Sequence, residues 1–225
     1  MFLQFDLLTM ERSEKVINYF SSYVGDNDYL NNLVRIHFNL MLKWQKIGNL
    51  IGLSDDRDIA EFLYLDSFIA LKHVSEFLLT QGIEVSDISD IGSGAGFPSI
   101  FWVHFLPDVR VSFFEPKRKR ANFLREFIRT ADLKNYIVKE EMVKKESLKT
   151  QLVISKAAIN INDWPRFGLS NLSRRGILVS MLTSESEIIY HRAIQKVGRI
   201  LRSEIIRYTL PYSSKPRALG IIQKK

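Results

Sequence analysis

The sequence contains no cysteine and only four histidines. Without thiols there is no disulfide framework, no thiolate metal site and no cysteine nucleophile, and a reducing cytoplasm needs no further explanation. His37, His73, His104 and His191 are scattered without ligand-like spacing, so no metal is expected. No uninterrupted apolar stretch approaches the roughly 20 residues that a bilayer span requires. The start Met1-Phe2-Leu3-Gln4-Phe5-Asp6 lacks the positive charge of a signal peptide. These absences lead to the expectation of a cytoplasmic protein without a membrane partner, and a monomer is expected. No Gly-Lys-Ser/Thr closes a phosphate-binding loop of the Walker kind, which excludes that class of nucleotide site.

What is present is an ordinary globular composition: 225 residues, 46% hydrophobic and 25% charged, enough for one domain with an appendage. Lys and Arg total 32 against 25 acids, a net charge of +7, and that excess suits a polyanionic partner.

The texture changes once along the chain. From about Glu11 to Gln81 it reads as helices. Between Tyr29 and Ile47 the residues Leu30, Leu33, Val34, Phe38, Met41 and Trp44 recur at three and four, the stripe of an amphipathic helix. A second such segment runs from about Arg57 to Thr80, and Ser54-Asp55-Asp56 between them reads as a cap. After Gly82, short apolar runs (Ile83 to Ile91, Val109 to Phe114, Asn135 to Lys139, Gln151 to Ser155, Gly176 to Leu182) read as strands. Helices are expected over Phe97 to Leu106, Lys117 to Thr130 and Glu185 to Lys196, so the sheet should be largely parallel. Arg199 to Leu210 and Ala218 to Gln223 are joined by a segment too short for a crossover helix and should pair antiparallel. The expected architecture is a Rossmann-like α/β fold: a mostly parallel seven-stranded sheet with an antiparallel C-terminal hairpin, residues 1–82 forming a helical cap on a domain of residues 83–225.

Asp90-Ile91-Gly92-Ser93-Gly94-Ala95-Gly96 sits between an expected strand and an expected helix. Glycines there let the backbone turn tightly and approach a ligand where a Cβ would fill the space. The spacing is G-x-G-x-G rather than G-x-G-x-x-G, with Phe97 where the last glycine of a dinucleotide loop would stand, so a diphosphate fits poorly. The amino acid end of S-adenosylmethionine needs only a close backbone and a few hydrogen bonds. Asp90 is placed to orient the loop or to meet the cofactor's ammonium. Glu115 lies 19 residues beyond Gly96 at a strand end, where a carboxylate can accept from both ribose hydroxyls. Glu140, Glu141 and Met142 follow the third strand, where an adenine would be flanked. The expected cofactor is therefore S-adenosylmethionine, held by Asp90, Gly92, Ser93, Gly94, Gly96, Phe97, Glu115, Glu141, Met142 and Lys156. The parallel sheet closed by an antiparallel hairpin is the methyltransferase variant of the doubly wound fold.

The run Asp90 to Pro98, with Leu65-Asp66-Ser67 upstream and Lys119-Arg120-Ala121-Asn122-Phe123-Leu124-Arg125 downstream, resembles the glucose-inhibited division protein B family. Lys43-Trp44-Gln45-Lys46 with Asn49-Leu50 is similar to that family's first long helix, and Val153-Ile154-Ser155-Lys156-Ala157 to its fourth strand. The resemblance implies methyl transfer to N7 of a guanine in small-subunit (16S) ribosomal RNA, with ribosomal RNA or the small subunit as partner. Departures cluster on the substrate side. Phe62-Leu63 stands where the family carries Arg-His, Lys156 where it carries Arg, Met181-Leu182-Thr183 where it carries Leu-Lys-Gly, and Arg217-Ala218 where it carries Arg-His. A different substrate, or RNA binding without turnover, stays open alongside the main reading.

Guanine N7 has a free lone pair at neutral pH, so no general base is required and no catalytic residue is assigned; alignment carries the reaction. Lys156, in the loop after the fourth strand, is the candidate substrate contact. Lys117-Arg118-Lys119-Arg120 opens a helix, where cations oppose the macrodipole. Phosphate contact is one reason for them and a solvated basic face relieved by acids such as Glu126 is the other. Together with Arg217 they are the expected RNA-binding residues. Arg166, Arg174, Arg175, Lys224 and Lys225 add charge of the same sign.

Overall fold

A computed structural model describes residues 7–156 and 159–225. The N-terminal hexapeptide read above for a leader, and Ala157 of the fourth-strand motif, lie outside the described residues.

Two helices open the chain, α1 (Leu7–Val24) and α2 (Asp28–Gln45). The Asn27 carboxamide caps α2 by accepting from the Leu30 amide at 3.0 Å. A turn follows in which the Gln45 side chain accepts from the amides of Leu50 and Ile51. The next helix is continuous but changes pitch: α3 (Asp56–Ile59), a π-helical stretch (Ala60–Leu65) and α4 (Asp66–Thr80). Asp55 caps it as expected, accepting from the Arg57 and Asp58 amides.

Seven strands form one sheet in the order β3-β2-β1-β4-β5-β7-β6. They are β1 (Asp87–Ile91), β2 (Arg110–Phe114), β3 (Tyr136–Lys139), β4 (Thr150–Ser155), β5 (Leu172–Thr183), β6 (Ile200–Thr209) and β7 (Pro216–Lys224). The first five pair in parallel; β7 runs antiparallel to both β5 and β6. The expected C-terminal hairpin is there, and its β7 inserts between β5 and β6. Around the sheet lie α5 (Trp102–Phe105), α6 (Arg118–Thr130), α7 (Trp164–Asn171) and α8 (Ser184–Ile194).

The sequence reading misses boundaries where apolar runs overshoot hydrogen bonding. β1 starts at Asp87 rather than Ile83, and the helix expected over Phe97 to Leu106 shrinks to a 3₁₀ turn (Ser99–Phe101) and α5. α7 has no counterpart in that reading; eight residues opened by Trp164-Pro165 are too short for a periodic stripe, although proline suits a first helical turn.

The N-terminal helices share one core with the sheet. Val16, Phe20, Phe38, Tyr64 and Leu71 are buried together with Phe101, Trp102, Phe113, Phe123 and Phe127. A second core on the other face joins Ile91, Val153, Trp164, Leu178 and Tyr190. The strand order reverses between β1 and β4, and crevices open at the carboxyl ends of strands at such a switch point. Among the described residues no helix is long and apolar enough to cross a membrane.

Candidate functional site

After β1 the chain turns through three glycines at positive φ, 71° at Gly92, 56° at Gly94 and 91° at Gly96. Their reasons differ. A Cβ on Gly96 would stand 2.8 Å from Ile100 Cγ2 and 3.2 Å from Leu124 Cδ2, so this glycine lets the loop pack on α6. A Cβ on Gly94 would meet only the Gly92 carbonyl at 3.9 Å, and Gly94 lines a cleft of about 560 Å³. Gly92, Ser93, Phe97, Glu115, Lys117, Arg120 and Lys156 line the same cleft, and Leu50 to Leu53 with Leu63 also face it.

Glu115 follows β2 and is 3% exposed. Its carboxylate accepts from the Gly94 amide at 3.0 Å and from the Lys117 amide at 2.8 Å. Each oxygen thus keeps a lone pair for a further donor. Asp90 lies fully buried beneath the loop. Burial pushes its carboxyl up to about 7, the Glu115 charge adding to this and Ser99 and Ser93 opposing it. Neither carboxylate oxygen meets full hydrogen-bond geometry, so Asp90 is a buried acid with unused acceptor capacity, set behind the cleft wall rather than on it.

His37 supports the loop from the other side. It is fully buried, with Nε2 2.8 Å from the Ala95 carbonyl and Nδ1 2.7 Å from the Tyr64 hydroxyl. A carbonyl only accepts, so Nε2 carries the proton and Nδ1 accepts from Tyr64. Burial brings the imidazole pKa down to about 4 against the pull of the Ala95 hydrogen bond. Phe97, Phe123 and Phe127 close round the ring. Sequence reading passed over this strut because a lone histidine on an apolar stripe carries no signal of its partners.

Lys156, at the end of β4, faces both this cleft and a second one of about 530 Å³. Its ammonium donates to the Phe62 carbonyl at 2.7 Å and pairs with Asp66 at 3.0 Å. Asp66 is 3% exposed and also accepts from the Tyr208 hydroxyl at 2.7 Å, with the Arg217 Nε 3.7 Å away. Burial and the Asp66 charge push the Tyr208 hydroxyl pKa up, so it remains a donor. The π-helical stretch that presents Phe62 also presents Glu61, whose carboxylate accepts from the Tyr212 and Ser213 amides at 2.7 Å each. This holds the β6–β7 turn against the helix, and with it Lys215 and Arg217 over the Phe62 ring at 4.4 and 5.7 Å.

Of the expected basic residues, Lys117 and Arg120 reach the glycine-loop cleft, while Arg118 and Lys119 line a neighbouring hollow with Trp44 and Gly48. Glu126 does not relieve them. It pairs with Lys43 at 2.9 Å and accepts from the Trp44 indole at 2.6 Å, and among the described residues none of the four N-terminal cations of α6 has an ion pair. Glu141 and Met142 are exposed and off the cleft lining; Glu140 pairs with Arg125. Among the described residues no group of His, Cys, Asp or Glu is arranged to hold a metal ion.

The family model described as rRNA small subunit methyltransferase G, GidB, matches residues 30–203. This chain belongs to the GidB family. The ribosomal RNA small subunit methyltransferase G of Desulforamulus reducens is 27% identical over 197 residues, 84% of this chain and 79% of that one. The protein of the same name from Syntrophus aciditrophicus is 30% identical over 173 residues, 69% of each. Among solved structures, an O-methyltransferase from Bacillus cereus in complex with S-adenosylhomocysteine aligns with a TM-score of 0.59 at 14% identity, covering 93% of this chain and 97% of that one. A putative O-methyltransferase from Klebsiella pneumoniae gives 0.56 at 10%, covering 97% and 99%. These two likenesses are of fold: the Rossmann-like methyltransferase sheet.

The positions at which the chain departs from the GidB pattern are neighbours in space. Phe62, Lys156, Met181, Leu182 and Thr183 line the second cleft, Ala218 is the direct partner of Leu182 across β5 and β7, and Leu63 faces the glycine-loop cleft. Most of the departures thus gather around the second cleft, with Lys156 on the wall the two clefts share.

Proposed function

We propose that this chain is an S-adenosylmethionine-dependent methyltransferase of ribosomal RNA, acting on N7 of a guanine in the small-subunit (16S) RNA. The observation that carries the reading is the pairing of Gly94 with Glu115. Bare backbone opens onto a cleft, and a buried carboxylate tied to that backbone keeps two lone pairs free at its rim. Such a pair fits a nucleoside with a charged amino acid tail: the loop leaves room for the tail and Glu115 accepts from the ribose hydroxyls. Asp90, buried behind the loop with both carboxylate oxygens unpaired, adds acceptor capacity toward an ammonium, and negative potential as it ionises near pH 7. When bound, the cofactor supplies an electrophilic methyl group on a sulfonium sulfur.

The chain's own task is then alignment. Leu50 to Leu53 and Leu63 give the cleft an apolar wall that excludes water, and Lys156 stands where the two clefts meet. Methylated guanine gains positive charge, which a free lysine would oppose. The Asp66 carboxylate at 3.0 Å offsets the Lys156 charge there. The N-terminal helices α1 to α4 serve in this reading as a cap over the sheet domain, and Lys117 to Arg120 and Arg217 as phosphate contacts around the mouth.

The test is transfer of labelled methyl from S-adenosylmethionine to small ribosomal subunits or their naked RNA, with the modified base identified after digestion. Label in N7-methylguanine is the expected result; persistent cofactor binding with no label in any ribosomal substrate overturns it. A second reading, RNA binding without turnover, is favoured by the commitment of Lys156 to Asp66 and Phe62, and the same assay separates the two.

A further inference from the structure

The amino ends of the parallel strands lie opposite the cofactor cleft, and the fold gathers there charges that the proposed function leaves unused. Arg174 and Arg175 sit early in β5, where the register against β4 slips between Thr150 and Leu152, so the strand bulges before Ile177. Arg175 holds a φ of 60°, a left-handed backbone that a residue with a side chain rarely adopts. Both arginines are exposed. With Arg202, Gln151 and Gln223 they line a cleft of about 390 Å³.

The surroundings repeat the sign. Lys224 pairs in register with Ile200, and its ammonium donates to the Leu172 carbonyl at 2.6 Å, beside the bulge. The Lys225 amide donates to the Arg199 carbonyl, and Lys149 immediately precedes β4. Burial and then the nearby charges of Lys149 and Arg199 draw the Lys224 pKa down, with Glu146 opposing them. Among the described residues none of Lys149, Arg174, Arg175, Arg199, Arg202, Lys224 or Lys225 has an ion pair; Glu84 at the cleft, Glu146 beside Lys224 and Asp87, whose carboxylate accepts from Thr150 and Gln151, stand among them. Like charges held together on a strained bulge lower stability without improving packing. A polyanion that enters between them removes that repulsion.

We propose that this basic edge, formed by Lys149, Arg174, Arg175, Arg199, Arg202 and the end of β7, is a second RNA-contacting surface that grips the phosphate backbone of the substrate remote from the base being modified. It rests on the reading of the chain as an RNA methyltransferase. Phosphate contacts orient a protein on its nucleic acid without reading sequence, and two contacts on opposite ends of the sheet fix the orientation of a folded RNA better than one.

The experiment measures binding of naked small-subunit RNA across a series of KCl concentrations, together with steady-state methyl transfer. The proteins are the parent chain, the triple variant Arg174→Gln/Arg175→Gln/Arg199→Gln, and a control with three exposed lysines removed elsewhere, Lys15→Gln/Lys72→Gln/Lys134→Gln. Each lost phosphate contact should flatten the slope of log affinity against log salt by about 0.7 to 0.9. The triple variant is expected to lose about two units of slope and at least tenfold in affinity at low salt. Its KM for RNA should rise, while kcat at saturating RNA and the melting shift given by S-adenosylhomocysteine hold. A triple variant that matches the parent in slope and KM overturns the inference and leaves the proposed function standing. An equal loss in the control also overturns it, since net charge alone would then account for the effect. A parent chain that binds no RNA overturns both.

Discussion

The two clefts that meet at Lys156 are built by opposite means. The glycine-loop cleft is made of backbone: a glycine turn, amides tied to one carboxylate, and a carbonyl held by a buried imidazole. The second is made of side chains that satisfy one another, with Asp66 taking Lys156, Tyr208 and Arg217 while Phe62 carries Lys215 and Arg217. Backbone geometry restricts residue identity at each position, whereas a network of side chains can be rewired as long as its charges close. That difference accounts for why the glycine turn and Glu115 keep the family pattern while most of the departures line the second cleft.

The comparison breaks first at Gly94. Gly94→Val forces a branched side chain into open cleft at a φ of 56° and should abolish the melting shift by S-adenosylhomocysteine, which at 100 times the dissociation constant corresponds to about 2.7 kcal/mol. Methyl transfer should fall by about a thousandfold or more, some 4 kcal/mol. Gly94→Asn tolerates the left-handed backbone and separates strain from occlusion: it should fold like the parent and still bind the ligand poorly. By contrast Lys156→Met in the second cleft should leave the melting shift in place and act on RNA turnover. Equal loss of the shift in both would erase the distinction between the two clefts.

A second contrast lies within the cofactor-side wall, where His37 and Asp90 titrate in opposite senses. The folded pKa of His37, about 4, lies below the ordinary 6.5. Its stabilising contribution is therefore complete above pH 6.5 and is lost as pH falls toward 4. Asp90 is raised from 3.8 to about 7, so its contribution is complete at low pH and is lost as pH rises through 7. Between 4 and 6.5 the two slopes oppose. His37→Gln keeps a donor for Ala95 and an acceptor for Tyr64 but does not titrate. Urea unfolding of parent and variant should diverge by about 1.4 kcal/mol per pH unit across that window, up to about 3 kcal/mol in all. Parallel curves would show that His37 is not the buried neutral base described. Tyr64→Phe leaves Nδ1 without a donor and should lower stability by about 2 kcal/mol at pH 7.5, with cofactor affinity falling several-fold as Ala95 loosens.

How much of this was legible in the sequence follows from the same division. The glycine turn, Glu115 and the antiparallel tail were readable because each needs a residue type or a connection length that few alternatives satisfy. Glu141 and Met142 were placed by counting from a strand end, and the loop carries them outward to solvent instead. His37, Tyr64 and Glu61 go unread because their roles exist only through partners 27 to 152 residues away in the chain, and no local pattern encodes such a separation. The departures at Phe62, Leu182 and Ala218 are visible singly, but that Phe62 and Leu182 share one cavity, with Ala218 paired to Leu182 beside it, is a fact of the fold and its strand register.

The smallest expected effect tests whether that cavity has a compensating design. Where the family pattern places an arginine, Phe62 brings no charge of its own, yet its ring gathers Lys215 and Arg217 and so restores positive potential at the same wall. A cation over a ring at an exposed site contributes about 0.5 to 1 kcal/mol. Phe62→Leu keeps the apolar contact and removes the quadrupole, so the KM for RNA should rise two- to fivefold with the cofactor-induced melting shift unchanged. Combining it with Lys215→Gln should show coupling, the double variant losing less than the sum of the two, because both substitutions remove the same contact. Strict additivity would mean that Lys215 acts on RNA without help from the ring, and the phenylalanine would then be a plain loss of the family's cation rather than its replacement.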